Sequence, residues 1–279
     1  MNNREGKEME YIKIRKADSN IVPCVVEIPD HPKGIVIVIH GFSSSKECGT
    51  YKMLLRRLPE AGYGMIGIEL PGHGKEEALQ ETLRIEGCKN SIEAAEKYAA
   101  EKYPGIIIYY FASSFGAYIT GLYISTRKHL GNKAFFRSAA VNMPRLIVKD
   151  NPTEEEKKYL EALNEKGYFD ANMDLGAPVR ITREMYHDLS SNDLFEIFNP
   201  HRYGENAVAM VHGGKDNVID PNAAKAFAEQ FHIPVTILEN EGHSLNGTPD
   251  TPERVADLAI SFYEKDIFTE GEDKTENER

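Results

Sequence analysis

The chain has 279 residues, which is enough for one large α/β domain or two small ones. Its 33 basic and 44 acidic residues give a net charge of −11, and no cluster of Lys and Arg interrupts the acidity. We therefore expect neither a nucleic-acid partner nor binding to an anionic membrane surface. The three cysteines, Cys24, Cys48 and Cys88, are odd in number and lack Cys-x-x-Cys spacing, which argues against a disulfide framework or a cysteine metal site.

Both ends of the chain are polar. Residues 1–8 lack the apolar segment of a signal peptide, and no apolar run approaches the roughly 18 residues that cross a bilayer. We therefore expect no membrane span and a soluble, cytoplasmic setting. Residues 269–279 are charged and have no apolar anchors, so they should form a disordered acidic tail. Whether two copies form a homodimer is left open by the sequence.

The first part of the chain shows strand and helix patterns in alternation. Residues 9–16 and 21–28 should form an antiparallel hairpin, and Pro23 favours an edge position because proline cannot donate to a ladder. The elements predicted next are a strand at 34–40, a helix at 50–61, a strand at 64–70, a helix from an Asn90 N-cap to Tyr103, a strand from Gly105, an apolar helix to Ile124 and a short strand at 138–143.

The alternation stops over residues 144–204, where apolar positions recur at helical spacing and no convincing buried strand is present. This stretch is too long for an ordinary loop, so we interpret it as a helical insertion. Alternation resumes with a strand at 207–212, a helix from Asp220 to Phe231, a strand at 234–238 and a helix at 251–265. The expected fold is an α/β core over 1–143 and 205–268, with a mostly parallel sheet covered by helices on both faces.

The strand that begins at Gly105 ends in a turn with small residues two positions on either side of Ser114, namely Ala112 and Gly116. A sharp strand-to-helix turn puts its central serine into strained φ/ψ space and leaves no room for side chains at those two positions. Centring the turn on the preceding serine would place a phenylalanine at both, so Ser114 is the residue that fits. The spacing is that of a nucleophile elbow with Ala in place of the first Gly.

Functional groups of parallel α/β sheets lie at the carboxyl ends of the strands. The elbow strand ends in Ser114, the strand at 207–212 is followed by Asp216, and the last strand is followed by His243. A serine, an aspartate and a histidine therefore come to three different strand ends, in that order along the chain.

The acidic position has competitors. Asp220 lies close to Asp216, but it precedes Pro221, and this pair is typical of a helix N-cap followed by proline at the first helical position. Glu239 and Glu241 lie beside the last strand and stay as further alternatives.

Five motifs carry a resemblance to a known family: His40-Gly-Phe42, Pro71-Gly-His-Gly74, Ala112-Ser-Ser114-Phe-Gly116, His212-Gly-Gly-Lys-Asp216 and Glu241-Gly-His243. On these motifs the chain resembles the α/β-hydrolase superfamily over nearly its whole length. Among the members of this superfamily, it is similar to monoacylglycerol-lipase-like hydrolases and to cinnamoyl and feruloyl esterases. The insertion at 144–204 lies where that family has its lid. The resemblance implies a serine hydrolase that cleaves carboxylic esters of small molecules.

The resemblance implies the roles of the site residues. Ser114 would be the nucleophile, His243 its general base, and Asp216 the group that orients the imidazole. The backbone N–H groups of Phe42 and Phe115 would form the oxyanion hole. We expect no cofactor and no metal, because the histidines outside the five motifs show neither His-x-x-x-His nor carboxylate-paired spacing; they are His31, His129, His187, His201 and His232.

The insertion carries four aromatic residues that we expect in the substrate pocket: Tyr168, Phe169, Tyr186 and Phe195. Such a pocket predicts small apolar or aromatic acyl esters, although these side chains could instead only pack the lid helices together. An aminopeptidase or amidase with the same three residues is the alternative, and Glu184 or Asp188 would then bind the peptide amine. A non-catalytic binding protein is disfavoured by the intact serine, aspartate and histidine.

Overall fold

The computed structural model describes residues 10–75, 81–171, 177–199 and 207–265. The strands are β1 (Glu10–Arg15), β2 (Ile21–Glu27), β3 (Ile35–Ile39), β4 (Gly64–Ile68), β5 (Ile108–Ser113), β6 (Gly131–Arg137), β7 (Tyr168–Ala171), β8 (Val179–Thr182), β9 (Val208–Gly213) and β10 (Val235–Leu238). Within the described residues, eight strands form one sheet in the order β1-β2-β4-β3-β5-β6-β9-β10. Apart from the antiparallel contacts of β2 with β1 and β4, its neighbouring strands are parallel. The predicted mostly parallel sheet is confirmed.

The helices are α1 (Gly49–Glu60), α2 (Ile85–Lys102), α3 (Phe115–Thr126), α4 (Met143–Ile147), α5 (Glu154–Lys166), α6 (Arg183–Ser191), α7 (Leu194–Ile197), α8 (Pro221–Gln230) and α9 (Asp250–Glu264). They cover both faces of the sheet, with α1 and α9 on one face and α2, α3 and α8 on the other. In β3, Ile37 packs toward α2 and α3 whereas Val36 and Val38 pack toward α1 and α9. A strand that is buried on both faces must be apolar throughout, which makes it recognisable in the sequence.

The N-terminal hairpin is confirmed, but the edge position expected for Pro23 is wrong. β2 pairs with β1 on one side and with β4 on the other, so β1 is the edge strand. Pro23 precedes the stretch paired with β4, which begins at Cys24, and its carbonyl accepts a hydrogen bond from Glu69 N–H at 2.9 Å. The missing N–H therefore falls at the end of the ladder, where a proline costs one terminal hydrogen bond.

The strand after the elbow helix lies earlier than the sequence pattern indicates. β6 spans residues 131–137, whereas the strand was expected at 138–143. The sequence pattern misses β6 because the strand contains Lys133, and a lysine is unexpected in a buried strand. Its Nζ donates to the carbonyl of Phe262 at 2.8 Å, which satisfies the buried charge in part. Beyond the strand the chain leaves the sheet, and Ser138 takes a left-handed φ of 48°.

The start of α2 also differs from the expectation. The helix begins at Ile85, so Asn90 lies in its second turn and does not cap it. The side chain of Asn90 instead accepts a hydrogen bond from Arg127 at 2.8 Å. Asparagine is typical of N-caps but can also lie inside a helix. Here only the hydrogen bond to a distant residue shows which of the two positions Asn90 has.

Between β6 and β9 the chain forms α4 to α7 and the antiparallel pair of β7 and β8. The pair was not predicted, because a four-residue strand is too short to show an alternating pattern. The division of the chain at 143/144 and 204/205 remains a prediction. Residues 200–206 and the expected acidic tail at 269–279 lie outside the described residues. Among the residues that are described, no helix has the length and apolar character needed to cross a membrane.

Candidate active site

Ser114 occupies the turn between β5 and α3, where its backbone is strained. Its φ of 51° and ψ of −116° lie outside the regions that non-glycine residues favour. Its N–H donates to the carbonyl of Arg137 at 2.8 Å, which ties the turn to β6. A Cβ on Gly116 would lie 2.4 Å from the carbonyl oxygen of His40, so this position requires glycine. The turn has the steric demands inferred from the sequence.

The tertiary structure brings Ser114, His243 and Asp216 together in one hydrogen-bonded chain. Nε2 of His243 lies 3.0 Å from Oγ of Ser114, and Nδ1 of the same ring lies 2.8 Å from Oδ2 of Asp216. The three residues follow β5, β10 and β9, so they meet at the carboxyl edge of the sheet. An imidazole between a hydroxyl and a carboxylate can accept the hydroxyl proton while the carboxylate holds its orientation.

Asp216 is a buried carboxylate that is well supplied with donors. Its Oδ1 accepts from the backbone N–H groups of Val218 and Ile219, each at 2.9 Å. Its Oδ2 lies 3.1 Å from Nε2 of His212, in addition to its contact with His243. Burial raises the pKa of Asp216, but hydrogen bonds from the two histidines and from the backbone outweigh it and hold this pKa well below its usual range. Asp216 is therefore ionised at neutral pH.

The competing acids have other tasks in the structure. Asp220 caps α8 and accepts from Asn222 N–H at 2.9 Å, as expected for an N-cap. Glu241 accepts from the hydroxyl of Thr251 at 2.6 Å and helps to hold the loop after β10. Glu239 is exposed. Asp216 is thus the acid that contacts His243 among the described residues.

The two N–H groups expected in the oxyanion hole lie at turns beside Ser114. Phe115 is the first residue of α3, so its N–H has no acceptor within the helix. The turn that carries Phe42 lies close to Ser114, and a Cβ added to Gly41 would be 3.2 Å from Cβ of Ser114. Neither the Phe42 nor the Phe115 N–H donates to another group in the described part of the chain. The two rings meet edge to face, with centroids 5.8 Å apart.

A buried polar cluster holds the loop that carries Phe42. Nε2 of His40 lies 2.9 Å from Oε1 of Glu69, and its Nδ1 lies 2.8 Å from the carbonyl of Gly41. The same carboxylate oxygen accepts from the backbone N–H of Lys46 at 3.1 Å. Both ends of the loop are therefore anchored to β4 through one glutamate, and His40 has a structural position behind the site.

A family model described as serine aminopeptidase, S33, matches residues 30–190, which is more than half of the chain. The chain belongs to this α/β-hydrolase family. The resemblance inferred from the sequence motifs is confirmed. Comparison with curated protein sequences finds no match.

Solved structures share the fold of this α/β-hydrolase at low sequence identity. Est1E from Butyrivibrio proteoclasticus, with ferulic acid bound, is 18% identical with a TM-score of 0.73, and the match covers 91% of this chain and 100% of Est1E. The esterase domain of a Rhodothermus marinus protein is 14% identical with a TM-score of 0.67, over 92% and 99% of the two chains. An esterase from Pyrococcus furiosus is 15% identical with a TM-score of 0.66, over 91% and 90%. Such identities establish the fold alone.

A cavity of about 540 Å³ opens beside Ser114 and His243. It lies between the loop after β3, the first turns of α1 and α9, and the ends of β5 and β6. Its apolar walls come from Met53, Leu245 and Val255, and Arg137 also lines it. The cavity is therefore built by the sheet and by the helices on one of its faces.

The four aromatic residues expected in the substrate pocket are not among the described residues that line this cavity. Tyr168 lies under the guanidinium of Arg180, Phe169 stacks on Tyr159 of α5, and Phe195 packs on Phe227 of α8. Tyr186, on α6, is half-buried against the core. Their role in substrate binding stays a prediction.

Sequence reasoning missed three residues that contact the site. The hydroxyl of Ser138 donates to the carbonyl of His243 at 2.8 Å, and Arg137 donates to the carbonyl of Ser244. His212 contacts Asp216. The first two follow directly from the position of β6, since residues at the carboxyl end of a central strand face the site. Because the sequence pattern places this strand seven residues later, Arg137 and Ser138 do not stand out as residues at a strand end.

Proposed function

We propose that the chain is a carboxylic ester hydrolase that works through a covalent acyl-enzyme. The observation that supports this most directly is the hydrogen-bonded chain from Ser114 through His243 to Asp216. A serine hydroxyl is a weak nucleophile at neutral pH and needs an adjacent base, which the imidazole supplies.

The proton follows the hydrogen bonds. Ionised Asp216 accepts the Nδ1–H of His243, which leaves Nε2 free to accept the proton of Ser114 as Oγ attacks the ester carbonyl carbon. The imidazolium then gives this proton to the leaving alcohol as the C–O bond breaks, and the serine is left acylated. Water attacks the acyl-enzyme with the same base, which releases the carboxylic acid and restores the free hydroxyl.

Attack on the ester puts negative charge on the former carbonyl oxygen. The N–H groups of Phe42 and Phe115 have no other acceptor in the described part of the chain, so both are free to bind this oxygen. One such donor contributes about 3 kcal/mol to the transition state. The Glu69 cluster behind the loop supports this role, because a donor is effective only when its orientation is held beforehand.

An aminopeptidase with the same three residues is the second candidate, and the name of the matched family favours it. Such an enzyme needs unpaired acidic groups near the nucleophile to bind the terminal ammonium of a peptide. Glu184 is exposed, and Asp188 forms an ion pair with Arg84, with Oδ2 and Nε 2.7 Å apart. Among the described residues neither acid lines the cavity beside Ser114. We therefore favour esters.

For the substrate we propose a small ester with an apolar or aromatic acyl group. The apolar walls of the cavity beside Ser114 support this choice. Est1E, which has the same fold, binds ferulic acid in its solved structure, so aromatic acyl groups are the first to compare with linear ones.

A fluorophosphonate probe tests the nucleophile. We expect covalent labelling of the wild-type protein, loss of labelling in Ser114→Ala and retained labelling in Ser113→Ala, whose hydroxyl makes no hydrogen bond to His243. Equal labelling of wild type and Ser114→Ala would refute the proposal. Hydrolysis of p-nitrophenyl esters is then compared with that of aminoacyl p-nitroanilides, and a higher kcat/KM on the anilides would favour the aminopeptidase.

A further inference from the structure

Arg137 is the last residue of β6 and is paired in the sheet with Ser113, next to the nucleophile. Side chains alternate across a strand, so Arg137 points to the same face as Phe135, which packs toward α1 and α9. The cavity beside Ser114 lies on this face, and Arg137 lines it. The fold therefore places a guanidinium and the Ser114 hydroxyl in one cavity.

The guanidinium has few partners there. It donates to the carbonyl of Ser244 and makes no hydrogen bond to a carboxylate in the described part of the chain. The charge of Asp216 acts on it, but this carboxylate already has four donors of its own. A guanidinium has five N–H donors in a planar fork, so most of them remain for another acceptor.

Among the described residues that line the cavity, Arg137 is the one Lys or Arg. The one acidic residue of the lining is Glu253, whose carboxylate is engaged by Arg56 and Arg57 at the surface. The lining thus carries one positive and one negative side chain, and the negative one is already paired with arginines outside the lining.

Arg137 is half-buried, and burial lowers its pKa to about 10, so it is charged at neutral pH. A cation that is removed from bulk water without a carboxylate partner is costly, and an anion that binds beside it recovers part of that cost. Carboxylates match the fork of a guanidinium with two parallel hydrogen bonds.

We propose that Arg137 binds a carboxylate group of the ester substrate, so that the preferred substrates are esters that carry a second, anionic carboxylate. This inference rests on the proposed ester hydrolysis and deepens it. The carboxylate either ends an otherwise apolar or aromatic acyl group, as in a half-ester of a dicarboxylic acid, or belongs to the alcohol. The cavity contains both Arg137 and Ser114, so the anion and the scissile ester occupy it together.

Arg137 also supports the loop that carries His243, and the test must separate the two roles. Ser138 offers a matched control, because its hydroxyl supports the carbonyl of His243 without any charge. Loss of loop support should lower kcat on all esters alike. Loss of the carboxylate site should lower kcat/KM on anionic esters alone, mainly through KM.

The experiment compares two pairs of matched esters. Mono-p-nitrophenyl glutarate and p-nitrophenyl pentanoate differ by a carboxylate on the acyl side. The p-carboxyphenyl and p-carbamoylphenyl esters of butyric acid differ by a carboxylate on the alcohol side. We expect the wild type to prefer the anionic member of one pair by on the order of tenfold or more in kcat/KM. The pair that shows the preference identifies the side on which the carboxylate lies.

We expect Arg137→Met to abolish this preference, Arg137→Lys to keep part of it, and Ser138→Ala to keep it in full while kcat falls on every ester. Circular dichroism and thermal melting establish that each variant is folded. An anionic preference that survives in folded Arg137→Met, or the lack of any preference in the wild type, would overturn the inference. Failure of the wild type to hydrolyse any ester would instead count against the proposed function.

Discussion

His212 Nε2 lies 3.1 Å from Oδ2 of Asp216, the same oxygen that His243 Nδ1 contacts at 2.8 Å. One carboxylate oxygen thus has an imidazole on either side. His212 is fully buried at the end of β9, four residues before Asp216, so the short turn between them sets the contact.

Replacement of His212 by Leu should therefore weaken the support of Asp216. The stability that a depressed carboxyl pKa provides is present above the unfolded pKa of about 3.9 and is lost as the pH falls through the folded pKa. We expect the gap in the free energy of unfolding between wild type and His212→Leu to be largest above pH 5. It should narrow only as the pH falls through the folded pKa of Asp216, which lies well below about 3.9. Urea titrations across this range measure it, with the exposed His187→Leu on α6 as control.

The same variant should also lose activity. With one charge-assisted hydrogen bond fewer, Asp216 orients His243 less firmly, and we expect kcat on a p-nitrophenyl ester to fall roughly tenfold. Unchanged kcat, together with a constant stability gap at all pH values, would show that His212 only fills space.

The acid that serves His243 is tested by a pair of matched substitutions. Asp216→Asn retains the shape but presents a neutral amide to Nδ1, so we expect kcat to fall by roughly three to four orders of magnitude at neutral pH. Asp220→Asn should change kcat little, because asparagine caps helices as well as aspartate does. A larger loss in Asp220→Asn than in Asp216→Asn would reverse the assignment.

The aromatic residues of the insertion are tested at Phe195, which packs edge to face on Phe227 with ring centroids 5.3 Å apart. Since this contact joins α7 to α8, Phe195→Ala should lower the free energy of unfolding by about 3 kcal/mol. We expect the ratio of kcat/KM for aryl and alkyl esters to stay at its wild-type value. A changed ratio with unchanged stability would instead support the substrate-pocket role predicted from the sequence.

A second pH effect comes from Glu96, which is buried in α2 and accepts from the hydroxyl of Tyr123 at 2.8 Å. Burial raises the pKa of Glu96 from 4.5 to about 7. The folded state therefore holds a proton that the unfolded state releases, and stability falls as the pH rises through this interval. The free energy of unfolding of Glu96→Gln should therefore rise by about 3 kcal/mol relative to that of the wild type between pH 4.5 and pH 7.

The control for this effect is Glu101→Gln, at an exposed position near the end of the same helix. The free energy of unfolding of this variant should depend on pH in the same way as that of the wild type. Thermal or urea unfolding at several pH values measures both variants, and a constant difference between Glu96→Gln and wild type would refute the prediction.

Local rules were enough for much of the fold. The buried strands of the sheet are apolar on both faces, and Ser114 follows from steric limits on the two positions around it, which the close approach of Gly116 to His40 bears out. β6 was misplaced because Lys133 breaks its apolar pattern. The β7 and β8 pair was missed because each strand is only four residues long.

By itself the sequence determined the alternation of strands and helices, the elbow at Ser114 and the order of Ser114, Asp216 and His243, because these depend on neighbours along the chain. The tertiary structure decided which side chains meet. Arg137 and Ser138 reach the loop after β10 because β6 lies next to β9, which in turn pairs with β10. The cavity beside Ser114 lies between α1 and α9, whose meeting depends on strand order. Such contacts join residues more than a hundred positions apart, and no local pattern encodes them.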